Sequence, residues 1–129
     1  MILLAAVLGC GGDPPPATFA EIYPLLFPVE TKPQCNFCHS LPPNQKSNGM
    51  LSMGTDPATA YAALIGATGH ADCEAMPYIV PGDPSASLFY LKLAGIPPCG
   101  SRMPLGGSQL SQADVDMVAS WISAGAEGP

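Results

Sequence analysis

Apolar residues recur at helical spacing in several short stretches, each bounded by residues that start or stop helices. Phe19, Ile22, Tyr23 and Leu26 form one such face, the i, i+3, i+4, i+7 pattern of an amphipathic helix. Thr18 and Glu21 stand at capping-box spacing ahead of it, so the helix is predicted to open at Thr18. Pro24 lies inside and, lacking an N–H, is expected to kink or shorten it. In "TDPATAYAALIG" Asp56 (or Thr55) caps, Pro57 takes the first helical position and Gly66 stops the helix. "GDPSASLFYLKLAG" repeats that grammar. Asp83 caps, Pro84 starts, Leu88, Leu91 and Phe89 face inward, and Gly95 ends it. A last helix is predicted to begin at Ser111, with Asp114 as an acidic partner near its positive end. Val115, Val118 and Ile122 share one face with Trp121 beside it, and Gly125 closes it. No stretch reads as a strand and no repeat suggests a solenoid. The prediction is an all-α fold of four or five short helices joined by long loops.

Composition sharpens this picture. At 129 residues the chain has one domain's worth of sequence. Only 11% of residues are charged, while 16 prolines and 14 glycines imply much irregular chain. The apolar fraction of 47% argues against disorder. Long loops in a small domain need something to organise around, and a bound cofactor would provide it. Four basic and ten acidic side chains leave a net charge of −6. That balance argues against nucleic acid and against electrostatic adhesion to anionic lipid. It permits a basic docking partner.

The opening "MILLAAVLGC" is almost purely apolar and too short to span a bilayer. It resembles the end of a secretory signal, and "VLGC" resembles a bacterial lipobox whose cysteine, Cys10, becomes lipidated. "GGDPPPA" reads as a semi-rigid tether. Residues 1–17 are therefore taken as signal remnant and tether, and residues 18–129 as the folded domain. The expected location is outside the cytoplasm, in the periplasm or cell envelope, with a lipid anchor in a membrane.

The chemistry concentrates in "CNFCH", Cys35 to His39. C-x-x-C-H is the attachment signature of c-type haem. Two cysteines three apart can form thioethers to the two vinyl groups on one porphyrin edge, and the adjacent histidine then ligates the iron. A zinc site wants four ligands, and Cys38 and His39 as neighbours would crowd one tetrahedral ion. A thioredoxin-like redox pair would follow a strand, and none is predicted. Of five cysteines, Cys73 and Cys99 then remain. An oxidising compartment would let them pair, closing a loop worth about 3 kcal/mol on the chain-entropy model.

A second axial ligand must come from elsewhere. Met50, Met53, Met76, Met103, Met117 and His70 are the candidates. Met117 lies within the last helix, where packing is the better reading. Met103 lies in "CGSRMPLGG", a Gly- and Pro-rich loop able to carry a thioether to the iron, with Pro104 denying it a helical backbone. Met76 is also followed by proline and competes. His70 would give a bis-histidine site. Met/His ligation is the usual arrangement in cytochromes c. Arg102 is read as contacting a haem propionate or solvent, and Lys92 as solvated surface.

With these motifs placed, the chain resembles a monohaem class I-like cytochrome c. "RMPLGGSQLSQADVDMVASWISAGA" and "VPGDPSASLFYLKL" are similar to cytochrome c-like domains of myxobacterial and planctomycete lipoproteins. The resemblance covers roughly residues 18–126. It implies a fold in which the first and last helices cross, bringing Phe19, Ile22 or Tyr23 against Val118, Trp121 or Ile122. It also implies thioethers at Cys35 and Cys38, His39 as proximal ligand and Met103 as distal ligand. About 64 residues separate His39 from Met103, longer than in the smallest cytochromes c, and this keeps Met76 and His70 open. Trp121 is expected to pack rather than relay electrons.

Three functions follow. The first is a non-enzymatic one-electron carrier that exchanges electrons with a redox protein. The second is a haem enzyme or sensor with an open or displaceable sixth site. The third is a lipoprotein domain whose haem mainly holds the fold.

Overall fold

The computed structural model describes residues 11–31, 33–40, 51–107 and 109–129. The lipobox cysteine Cys10 and the ligand candidate Met50 lie outside the described residues. Among the described residues five α-helices appear in order: α1 (Phe19–Leu26), α2 (Cys35–His39), α3 (Pro57–Ile65), α4 (Leu88–Leu93) and α5 (Gln112–Ser123). Single 3₁₀ turns occupy Ala71–Cys73 and Pro84–Ala86. Among the described residues there is no strand, only one isolated antiparallel bridge between Thr68 and Pro77. The all-α expectation is borne out at that level.

The helices start where local chemistry dictates. Thr18 Oγ1 accepts the Glu21 N–H, and Glu21 Oε2 accepts the Thr18 N–H at 2.7 Å, a complete capping box. The Thr18 N–H and the Thr18 hydroxyl, which donates to the same Oε2 at 2.9 Å, hold the Glu21 carboxyl below the usual carboxylate range. Asp56 caps α3 through the Thr59 N–H, with Pro57 in the first turn. Ser111 caps α5 through the Asp114 N–H. α1 carries Pro24 inside it and ends after eight residues.

One predicted helix is two elements. Asp83 caps the 3₁₀ turn, but the chain turns extended at Ser87 (φ −94°, ψ 112°) before α4 begins. The Ser87 hydroxyl donates to the Asp83 carbonyl at 2.8 Å and accepts from the Val80 N–H at 2.8 Å. A fully buried hydroxyl satisfied by the preceding loop competes with helix continuation. The register shifts accordingly: Leu88, Phe89 and Leu93 are buried, whereas Leu91 is only partly so. α4 closes as predicted near Gly95, whose φ of +78° lets the Ile96 N–H reach back to the Leu91 carbonyl at 3.0 Å.

The core gathers on α1. Phe19 meets Trp121 of α5 at 5.1 Å between ring centroids, Tyr61 of α3 at 5.6 Å and Phe27 at 5.7 Å. Val118, Trp121 and Ile122 present the matching face of α5. The tail folds back over this contact: Trp121 Nε1 donates to the Glu127 carbonyl at 2.8 Å, and the Tyr61 hydroxyl donates to the Ala126 carbonyl at 3.0 Å. Trp121 thus packs, as expected of a buried aromatic with a satisfied N–H.

Candidate functional site

α2 consists of the five residues "CNFCH" and nothing more. It begins at Gln34, a non-glycine residue in the left-handed region (φ 52°). Its second residue fixes it to α1. The Asn36 N–H donates to the Phe27 carbonyl at 2.8 Å, and its Nδ2 donates to the Tyr23 hydroxyl at 3.2 Å. Asn36 is 5% exposed, and its Oδ1 is buried without a hydrogen-bond partner among the described residues. A cleft of about 390 Å³ opens beside it, between Tyr23, Val29, Ser40 and Thr55. With Asn36 turned inward, Cys35 and Cys38 fall three residues apart on a shared helix face.

Both cysteines are free and half-buried. Burial pushes the Cys35 thiol up to about 12, against a smaller pull from its own backbone N–H. Among the described residues no three His, Cys, Asp or Glu side chains come together to hold a metal ion.

His39 is oriented. Its Nδ1 lies 2.8 Å from the Leu51 carbonyl oxygen. A carbonyl can only accept, so Nδ1 carries the proton, and in the neutral ring Nε2 keeps its lone pair. The backbone repeats the connection, the Met53 N–H donating to the His39 carbonyl at 2.7 Å. This is the arrangement that orients a ligating histidine. The donor set fits haem c: two uncommitted thiols on one helix face and, next to the second, an imidazole with Nε2 available.

The distal candidates are distributed unevenly. Met103 is half-buried against the core, on the loop between α4 and α5, and its N–H donates to the Lys92 carbonyl at 3.0 Å. Met76 sits at the disulfide, its Sδ 3.9 Å from Cys99 Sγ. His70 is exposed. Met53 is buried in the core, and Met117 packs against it from α5.

Cys73 and Cys99 form a disulfide with their Cα atoms 5.4 Å apart. Lys92 is not the solvated residue the sequence suggests. Its Nζ donates to the Cys99 carbonyl at 3.1 Å and to the Ser101 carbonyl at 2.9 Å, and partial burial lowers its pKa. Arg102 also turns inward. Its guanidinium lies over Gly95, and its Nε is buried without a partner among the described residues.

Sequence reasoning missed Leu51, which acts through a backbone carbonyl and so leaves no side-chain signal. It also missed Lys92, whose one clue is a cation inside the apolar run "LFYLKL".

By itself this architecture defines a small all-α domain of five helices among the described residues. Compared with protein-family models, curated proteins and solved structures, the chain matches none.

Proposed function

We propose that the chain is a c-type cytochrome domain that carries single electrons between redox proteins outside the cytoplasm. The observation that carries this reading is the His39 Nδ1–Leu51 carbonyl bond within a free C-x-x-C-H helix. It commits the imidazole tautomer that a proximal ligand needs. Haem c held there would supply reversible one-electron chemistry at iron, gaining one electron from a reduced partner and losing one to an oxidised partner.

This chain's residues do the rest. Cys35 and Cys38 retain the cofactor through thioethers. His39 ligates through Nε2 and is kept from rotating by Leu51. Met103 would supply a thioether ligand to the iron, which favours a higher potential than a second histidine would. Exposed, irregular residues 11–16 would join the domain to a lipidated Cys10. Confinement to a membrane surface would raise the effective concentration near partners there.

The test is the optical spectrum of protein matured by a haem-attachment system, oxidised and reduced, for the parent chain and for Met103→Ala, Met76→Ala and His70→Ala. The expected result is a far-red ferric methionine band lost only in Met103→Ala. Loss in Met76→Ala alone would move the distal ligand to Met76. A parent spectrum without the band would favour His70 or an open sixth position, and with the latter sensing or catalysis. Normal ligation with no electron exchange with a reductant would favour a structural haem.

A further inference from the structure

We infer that Lys92 is the positioning residue of the loop that carries Met103. What the loop delivers depends on the proposed function; the clasp itself does not.

Both ends of Lys92 hold the same loop. Its ammonium donates to the Cys99 and Ser101 carbonyls at 3.1 and 2.9 Å, while its own carbonyl accepts the Met103 N–H at 3.0 Å. Donation from a charged group makes the first two bonds stronger than neutral ones. The loop backbone is shaped to admit the ammonium. Gly100, between the two accepting residues, has φ +61°, and a Cβ there would stand 3.1 Å from Lys92 Nζ. Glycine allows both the backbone angle and the close approach.

The anchoring is sequential. The disulfide fixes the loop at Cys99, the ammonium gathers Cys99 and Ser101, and the Lys92 carbonyl receives Met103. The chain has four basic residues, and two of them, Lys92 and Arg102, bear on this loop. The Lys92 ammonium reaches carbonyls rather than a carboxylate, so its work is to shape backbone. The direction of Met103 is thereby coupled to a side chain on α4 that need never touch the cofactor.

The test compares Lys92→Met, which keeps the apolar stem and removes the donors, with Lys92→Gln and Lys92→Arg, all as full-length matured protein. Two readouts are needed: the far-red methionine band and hydrogen exchange of individual backbone amides. The Met103 amide is informative because its acceptor, the Lys92 carbonyl, survives every substitution. Lys92→Met should reduce the band by half or more and speed Met103 exchange at least tenfold, with Val118 exchange in α5 unchanged. Lys92→Gln should fall between Lys92→Met and the parent. Lys92→Arg, which can still donate to two carbonyls, should restore both signals. An unchanged Met103 amide in Lys92→Met would overturn the inference. So would a uniform rise in exchange across the domain, which marks a merely structural lysine. A parent protein without the methionine band would refute Met103 ligation, while the Met103 amide would still decide the clasp.

Discussion

Where α1 meets α5, rings fill the space: the Phe19 centroid lies 5.1–5.7 Å from those of Trp121, Tyr61 and Phe27, and α1 and α5 are regular helices. From Gly95 to Met103 the chain is irregular, and Ile96 is 60% exposed. Here a disulfide, a lysine ammonium and the backbone bonds of Ile96 and Met103 to α4 set the path. The two proposed iron ligands divide between these regimes. His39 adjoins the first, because Asn36 hydrogen-bonds its helix to Tyr23 and Phe27 of the ring cluster. Met103 belongs to the second. Apolar burial is non-directional and decides whether the domain folds. Hydrogen bonds and a covalent link are directional and decide where a loop goes. A proximal ligand built on packed helices and a distal ligand on a pinned loop should therefore fail in different ways.

The largest break is expected at the α1–α5 contact. Trp121→Ala or Phe19→Ala should cost about 3–5 kcal/mol by loss of buried ring and creation of a cavity. In urea unfolding this should lower the midpoint and take both regions together. Removing the disulfide in Cys73→Ser/Cys99→Ser should cost about 3 kcal/mol. Beyond that loss, Met103 exchange should rise more than Asn36 exchange, because only the loop loses its anchor.

Thr18→Ala should cost about 1 kcal/mol through the lost capping box. It should weaken the α1–α5 contact without moving the methionine band.

The smallest effect is the response to acid. Hydrogen bonds at the starts of α1, α3 and the Pro84–Ala86 turn hold Glu21, Asp56 and Asp83 below the usual carboxylate range. Their contribution is present above the unfolded-state pKa values and is lost as pH falls through the lower folded-state values. The melting temperature should therefore fall from about pH 5 downward, with little change between pH 6 and 8 from these groups. Glu21→Gln should flatten part of that slope. The acid loss should fall on the helix starts before it reaches the 95–103 loop.

How much was legible follows the same division. Thr18 with Glu21, Asp56 with Thr59 and Ser111 with Asp114 are contacts three residues apart, so caps could be read directly from the chain. The contact of Phe19 with Trp121 spans most of the sequence, and its expectation rested on resemblance, not on local pattern. The break at Ser87 was hidden because a buried serine competes for the preceding carbonyl only after Val80 has been placed beside it. Lys92 looked like surface because its partners, the carbonyls of Cys99 and Ser101, are chosen by the fold of the loop. For the candidate site, "CNFCH" was visible as a motif. The bond that orients His39 runs to a carbonyl twelve residues away and was not.

The central claim is a haem covalently held by Cys35 and Cys38 and ligated by His39. Its most direct test is the mass and reduced-minus-oxidised spectrum of the protein after co-expression with a haem-attachment system and denaturing extraction. The account predicts one haem retained through denaturation, absent in Cys35→Ser/Cys38→Ser. Parent protein that emerges without covalent haem, while a control cytochrome matures in the same cells, would contradict it.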